Sequence, residues 1–292
     1  MDIDALQAFV AVAENQSFSQ AAGHMFLTQP AISKRVASLE SELDTRLFDR
    51  IGRKVELTES GQALLPRARN ILLEIEDSRR AISNLSGKIG GKLSIGTSHH
   101  IGLHRLPPVL RSFTRQYPEV ELDLHFMDSE EACRAVEHGD LELGIVTLPL
   151  DVPEDLHVLF IWPDPLAIVV EKHHPLTKQQ QITLAELAEE PAILPTHGTY
   201  TREIIEKTIE PEKLQLNIRL ATNYLETIKM MVSIGLGWSV LPCSMLNEDL
   251  VTLKVSRLHL ERKLGAVWHQ SRTLSNSAKA MLSQLQQTAK IS

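Results

Sequence analysis

Apolar positions recur at helical spacing from the start of the chain, where Leu6, Phe9, Val10 and Ala13 mark one face of a first helix. Ser17 then opens a capping box with Gln20: its hydroxyl is offered to the Gln20 amide and the Gln20 side chain can reach back, which predicts a short helix over 18–24. Thr28 is the expected N-cap of a third helix, with Pro30 in its first turn, and Ile32, Val36, Leu39 and Leu43 form its apolar stripe. Beside that stripe run Gln29, Ser33 and Ala37, with Pro30 and Lys34 beyond them. A face of small and polar groups suits close approach to base edges, and equally suits water. Residues 46–57 then read as strand, turn at Gly52 and strand, with Arg50, Arg53 and Lys54 at the tip. Such a tip reads as a DNA-backbone contact or as a plain basic hairpin.

The pattern next lengthens into one helix over about 59–85. Leu64, Ala68, Ile71, Ile75, Ser78, Ile82 and Leu85 alternate four- and three-residue steps, a narrow heptad seam that asks for a partner helix. A second copy of the chain is the favoured partner and the chain's own globular part the alternative. Pro66 is tolerable only near the helix start or at a kink. Gly87, Gly90 and Gly91 mark a hinge, after which strands and helices alternate.

The alternation predicts strands at 93–96, 120–126 and 143–147 with helices over 103–116 and 129–138. A second such unit follows: strands at 166–170, 192–194, 216–221 and 238–241, with helices at 183–188, 199–208 and 224–234. A strand at 264–268 and a helix at 275–289 return to the first unit. The expected architecture is two α/β lobes on mainly parallel sheets, joined by two crossovers that leave a cleft between them. The expected division is 1–58, 59–91 and 92–292, with a first lobe of about 92–161 and 266–292 and a second of about 162–265.

Composition adds limits. A chain of 292 residues suggests two or three domains. No apolar run approaches a membrane span, and the start has no signal segment, so a cytoplasmic protein without a membrane partner is expected. Cys133 and Cys243 are read as buried and inert. The net charge of −7 argues against nucleic acid, so DNA binding has to rest on where the basic groups point. There is no Gly-x-Ser-x-Gly, phosphate loop or Cys/His arrangement for catalysis, so no enzyme and no cofactor is expected. His100 and His104 lie four apart with His99 adjacent, but no cysteine or carboxylate cluster is near in sequence, and no metal site is expected.

Taken in order, these segments resemble the LysR-type transcriptional regulators. The resemblance is carried by Ser17-Phe18-Ser19-Gln20-Ala21-Ala22, Leu27-Thr28-Gln29-Pro30-Ala31-Ile32-Ser33, Leu39-Glu40, Leu47-Phe48-Asp49-Arg50 and Leu57-Thr58-Glu59-Ser60-Gly61. It implies an N-terminal winged helix-turn-helix on an all-α frame, a long linker helix and a bilobed, periplasmic-binding-protein-like effector domain of α/β class. It implies double-stranded promoter DNA as partner, with contacts from Gln29, Pro30, Ser33 and Lys34 and wing contacts from Arg53 and Arg50; Ser19, Thr28 and Lys54 complete the candidate set. Pairing through 59–85 is read from the seam itself, while a homotetramer is what the resemblance implies. RNA polymerase is left open as a further partner.

For the effector, the candidates are strand ends and helix starts of both lobes: Thr97, Ser98, His99 and His100 in the first, Thr196, His197 and Gly198 in the second. Asp128, Ser129, Thr147, Thr222 and Asn223 lie on the same rim. Helix capping is the competing use of these hydroxyls. The expected effector is a small anionic metabolite, unless Asp128 points inward and selects an amine. A metabolic enzyme or transport-type binding protein on the same cleft, and a helix-turn-helix used only for protein contacts, are the alternatives.

Overall fold

The computed structural model describes residues 1–51, 54–256 and 258–289, and of Arg50, Ile51 and Lys54 the backbone alone. It divides into units Met1–Ser86 and Gly87–Ser292.

In the first unit, α1 (Ile3–Asn15), α2 (Phe18–His24) and α3 (Gln29–Leu43) precede a hairpin of β1 (Phe48–Ile51) and β2 (Lys54–Leu57) and the long α4 (Glu59–Asn84). Ile32, Val36 and Leu39 of α3 are buried with Leu6, Phe9 and Val12 of α1 and with Ala21 and Ala22 of α2. Phe48 anchors the hairpin, its ring 5.4 Å from Phe9 and 5.6 Å from Phe18. Ser17 accepts from the Gln20 amide at 3.3 Å, while the reciprocal half of the expected box is not among the described bonds. Thr28 holds the N-cap position of α3 but makes no capping bond, so Pro30 and the buried stripe start that helix without it.

Two contacts fix the hairpin to the helices. Glu40 accepts from the Leu47 amide at 2.7 Å and the Phe48 amide at 3.4 Å. Thr58 caps α4 through the Gly61 amide at 3.0 Å and donates to the Arg46 carbonyl at 2.7 Å. A side chain at Gly61 would meet the Leu47 carbonyl at 2.2 Å, so only glycine lets α4 start so close to the hairpin. Helix α4 runs through Pro66 without interruption.

In the second unit β3 (Gly91–Thr97), β4 (Val120–Phe126) and β5 (Leu143–Thr147) are parallel, with β3 in the middle. Helices α5 (His99–His104), α6 (Leu106–Gln116) and α7 (Ser129–His138) belong to this lobe. The single helix expected over 103–116 is thus two, broken at Arg105, because Pro107 and Pro108 suit the first turn of a new helix and not the interior of an old one. Strand β6 (Leu156–Glu171) leaves the lobe, and α8 (Leu184–Glu189), β7 (Ala192–Leu194), α9 (Tyr200–Ile209), β8 (Ile218–Ala221), α10 (Leu225–Ser233), β9 (Ser239–Pro242) and β10 (Leu250–Thr252) build the other. Strand β11 (Leu260–His269) returns, and α11 (Asn276–Ala289) closes the first lobe.

The mainly parallel expectation needs correction. The seven-stranded sheet is mixed: β6 pairs antiparallel with β11, β9 and β10, and β11 pairs antiparallel with β5. Strands that carry the chain out and back run opposite ways, so they pair antiparallel along their shared length. Their residues divide between cores: Ile161, Trp162 and Leu264 pack with Leu93, Ile145 and Phe113, while Leu166 and Leu260 pack with Trp238, Leu187 and Ile205. The register shifts between Leu264 and Gly265, where an added Cβ would lie 2.2 Å from the Leu159 carbonyl.

Candidate nucleic-acid interface and ligand cleft

At the start of α3, Gln29, Pro30, Lys34 and Ala37 are exposed and Ser33 is half-buried. Gln29 Nε2 donates to Ser33 Oγ at 2.8 Å, which holds the amide upright and leaves its other N–H and its carbonyl free. That pair of groups matches the donor and acceptor an adenine shows in the major groove. Ser19 and Thr28 are also exposed. Arg53 lies outside the described residues, and the side chains of Arg50 and Lys54 do too.

Part of the acidic charge in this unit is already engaged. Asp4 accepts from Arg35 at 2.7 Å, Glu14 from Arg69 at 2.8 Å, Glu42 from the N-terminal amine, and Glu40 holds the hairpin amides. A count of charges could not show this. Where acids are already paired, the exposed face of α3 presents amide, hydroxyl and Lys34 to a polyanion.

In the second unit a cleft of about 220 Å³ opens between strand ends of one lobe and helix starts of the other. Of the candidates, Ser98, His99, His100, Asp128, Ser129, Thr147 and Asn223 line it. Thr97 does not: it is fully buried and its hydroxyl donates to the Ile145 carbonyl at 2.8 Å. Thr196, His197, Gly198 and Thr222 are also absent from the lining. The Thr196 amide donates to Asn223 Oδ1 at 2.9 Å, which gives this segment a supporting part instead.

Asn223 in turn donates to Asp128 Oδ2 at 2.6 Å, joining the lobes across the cleft. Glu130 accepts from the Tyr200 amide at the start of α9, and burial raises its pKa. Ser98 caps α5 by accepting from the Ile101 amide at 3.5 Å, and Ser129 accepts from the Thr147 amide of β5 at 3.1 Å, so both hydroxyls already hold backbone amides. An aromatic lip closes one side: the His99 ring lies 5.4 Å from Phe126 and 5.2 Å from Tyr224.

Sequence reading missed the floor. Arg262 faces Asp164 in the β6–β11 register, its Nε 3.0 Å from Asp164 Oδ2, and its Nη1 donates to Thr201 at 3.1 Å. Arg105 adds a bond to Asp164 Oδ1 at 3.3 Å. Asp164 is 1% exposed and Arg262 4%, so each charge depends on the other. The signal was faint: Asp164 stands between Pro163 and Pro165 and Arg262 between Glu261 and Lys263, and only the pairing of the two strands brings this acid and this base face to face. With Arg262 paired, the acids that line the cleft, Asp128, Glu130 and Glu131, face no unpaired lysine or arginine among the described lining residues, which runs against the anionic effector expected. His100 is 3% exposed, and among the described residues neither of its ring nitrogens has a hydrogen-bond partner. Burial, and then the Arg262 charge, lower its pKa to about 4, so the ring is neutral near pH 7. Cys133 is buried and its thiol is pushed up to about 11 by desolvation, but Cys243 is exposed, against expectation, because it follows β9 in a surface turn.

An exposed helix face on a helix-turn-helix in one unit and a bilobed ligand cleft in the other define a ligand-responsive DNA-binding regulator. Residues 3–62 match the bacterial regulatory helix-turn-helix model of the lysR family, and residues 86–290 match the LysR substrate binding domain. The chain therefore belongs to the LysR family of DNA-binding transcriptional regulators, a family of regulators and not of enzymes. It is 30% identical over 286 residues to the HTH-type transcriptional activator CmpR of Synechocystis sp., covering 96% of this chain and 93% of that one. An uncharacterized HTH-type transcriptional regulator in the ibpB-leuC intergenic region of Azotobacter vinelandii is 62% identical over 108 residues, 37% of this chain and 75% of that one. The fold is that of full-length OxyR from Pseudomonas aeruginosa, with a TM-score of 0.70 and 23% identity over 98% of both chains.

Proposed function

We propose that the chain reads promoter DNA with the start of α3 and that a small amine-bearing ligand in the cleft biases this binding. In this reading residues 1–58 contact DNA, 59–91 pair two copies and link the parts, and 92–292 bind effector. Gln29 and Ser33 meet base edges, while Ser19, Thr28, Pro30, Lys34 and the wing residues Arg50, Arg53 and Lys54 meet the backbone. The observation that carries the DNA reading is the exposed Gln29–Ser33 pair, bonded at 2.8 Å on a helix whose opposite face is buried. The amine is supported by Asp128 and Glu131 at a cleft whose arginine is already paired. Work in the cytoplasm, assembly of dimers into tetramers and contact with RNA polymerase belong to the same proposal. Among the described residues, no helix is long and apolar enough to cross a membrane.

The test compares a genomic fragment selected by the wild-type protein with a random duplex at fixed salt. Gln29→Ala combined with Ser33→Ala is expected to weaken the selected fragment about 10-fold or more and leave the random duplex within about 2-fold, since base contacts specify and phosphate contacts do not. Equal loss on both would remove base readout by these residues.

A further inference from the structure

We propose that His100, His104 and Glu226 form a site for one divalent transition-metal ion of the zinc class, which ties the two lobes together at the rim of the cleft. The two histidines stand four residues apart on α5, their ring centroids 4.8 Å apart. Glu226 comes from α10 in the other lobe, 122 residues on, and its Oε1 lies 3.2 Å from His104 Nε2. Ligands about 2.0–2.1 Å from a tetrahedral ion sit about 3.3 Å from one another, so this separation already fits one edge of such a site. One donor atom from each of the three residues lies within 4.8 Å of the other two.

The independent observation is His100. Its ring is 3% exposed, and among the described residues both nitrogens lack a hydrogen-bond partner. Buried polar atoms are nearly always satisfied, so an orphaned imidazole calls for a missing group. An ion between His100 and the His104–Glu226 pair would give one of the two ring nitrogens its partner. Two nitrogens and one carboxylate oxygen suit zinc, cobalt, nickel or copper, and do not suit calcium or magnesium. Arg262 opposes a cation beside His100, but Asp164 is bonded to it and Glu226 adds a negative charge to the set. Three protein ligands would leave one position of a tetrahedral ion for water.

Such an ion would join α5 of the first lobe to α10 of the second, at the end of the cleft where His99 meets Tyr224. Metal would then act on lobe closure separately from the effector. The sequence hides this, because the carboxylate that completes the set lies in another lobe.

The experiment uses the full, tag-free chain stripped with chelator and titrated with Zn²⁺ by calorimetry, with Co²⁺ as a spectroscopic probe. Expected are one ion per chain, a tetrahedral Co²⁺ spectrum, and a raised Tm with Zn²⁺ but not with Mg²⁺. Glu226→Gln, an exposed and nearly isosteric change, and His104→Ala should each weaken Zn²⁺ at least about 10-fold and leave the metal-free Tm unchanged. His259→Ala, at an exposed histidine elsewhere, should leave Zn²⁺ binding intact. No Zn²⁺ bound at micromolar concentration would overturn the proposal. Unaltered affinity in both site variants, or a Zn²⁺-soaked crystal showing only water at His100, would overturn it equally.

Discussion

Asp164 and Arg262 sit where β6 and β11 leave one core and enter the other, and their burial there has a cost that only their pairing offsets. Arg262→Ala would leave Asp164 with Arg105 alone, at 3.3 Å, and would also strand the Thr201 hydroxyl. A loss of about 3 kcal/mol is expected, the usual penalty for breaking a buried pair. Urea unfolding read by tryptophan fluorescence measures it cleanly, because Trp162, Trp238 and Trp268 all lie in the Gly87–Ser292 unit. A loss below about 1 kcal/mol would mean that water reaches the site. At this scale the sequence disclosed Ser98 and Asp128, because a strand end before a helix start is a local pattern. It concealed Arg262, because alternation alone assigns a charged strand residue to solvent, and only the facing acid reverses that.

At the scale of elements, α4 shows two fates for one seam. Leu64 and Ala68 pack into the core of the first unit, whereas Ile71 is 37% exposed, Ile82 71% and Leu85 86%. A helix that presents branched apolar residues to water at heptad spacing lacks its partner. Ile71→Glu combined with Ile82→Glu should therefore leave helix content unchanged and weaken self-association at least about 100-fold, since burying each such side chain is worth about 1.5–3 kcal/mol. Sedimentation over a dilution series reads this, and an unchanged dimer constant would place the interface elsewhere. The same scale shows where element reading stops. Strand β6 was expected only over 166–170, yet it begins at Leu156 and runs through Pro163 and Pro165. Among the described residues β11 is its one strand partner over Leu156–Pro165, β9 joining at Leu166 and β10 at Val169, so the missing amide hydrogens fall on an open edge.

For the whole molecule, the order of segments was legible from period and punctuation, and the cleft followed from two lobes sharing two crossing strands. What decides its ligand was not legible, because a sequence lists charges and does not say which of them are spent. Arg262 is spent on Asp164, and Glu130 on the start of α9, while among the described residues the Asp128 carboxylate meets the side-chain amide of Asn223 and no cation. An ammonium group placed between Asp128 and the hydroxyls of Ser98 and Thr147 would gain a charge-assisted bond that a carboxylate would lose to repulsion. In a thermal screen on the full chain, small amines and amino acids should then raise the Tm, by roughly 5–10 °C at a hundred times Kd, where mass action supplies about 2.7 kcal/mol. Asp128→Asn should abolish that rise, and Ser98→Val reduce it, with the ligand-free Tm of each unchanged. A simple dicarboxylate or phosphate ester that stabilises wild type and Asp128→Asn alike would reverse the assignment. The bound anion would then have to draw Arg262 away from Asp164, which would show as a ligand response lost in Arg262→Lys.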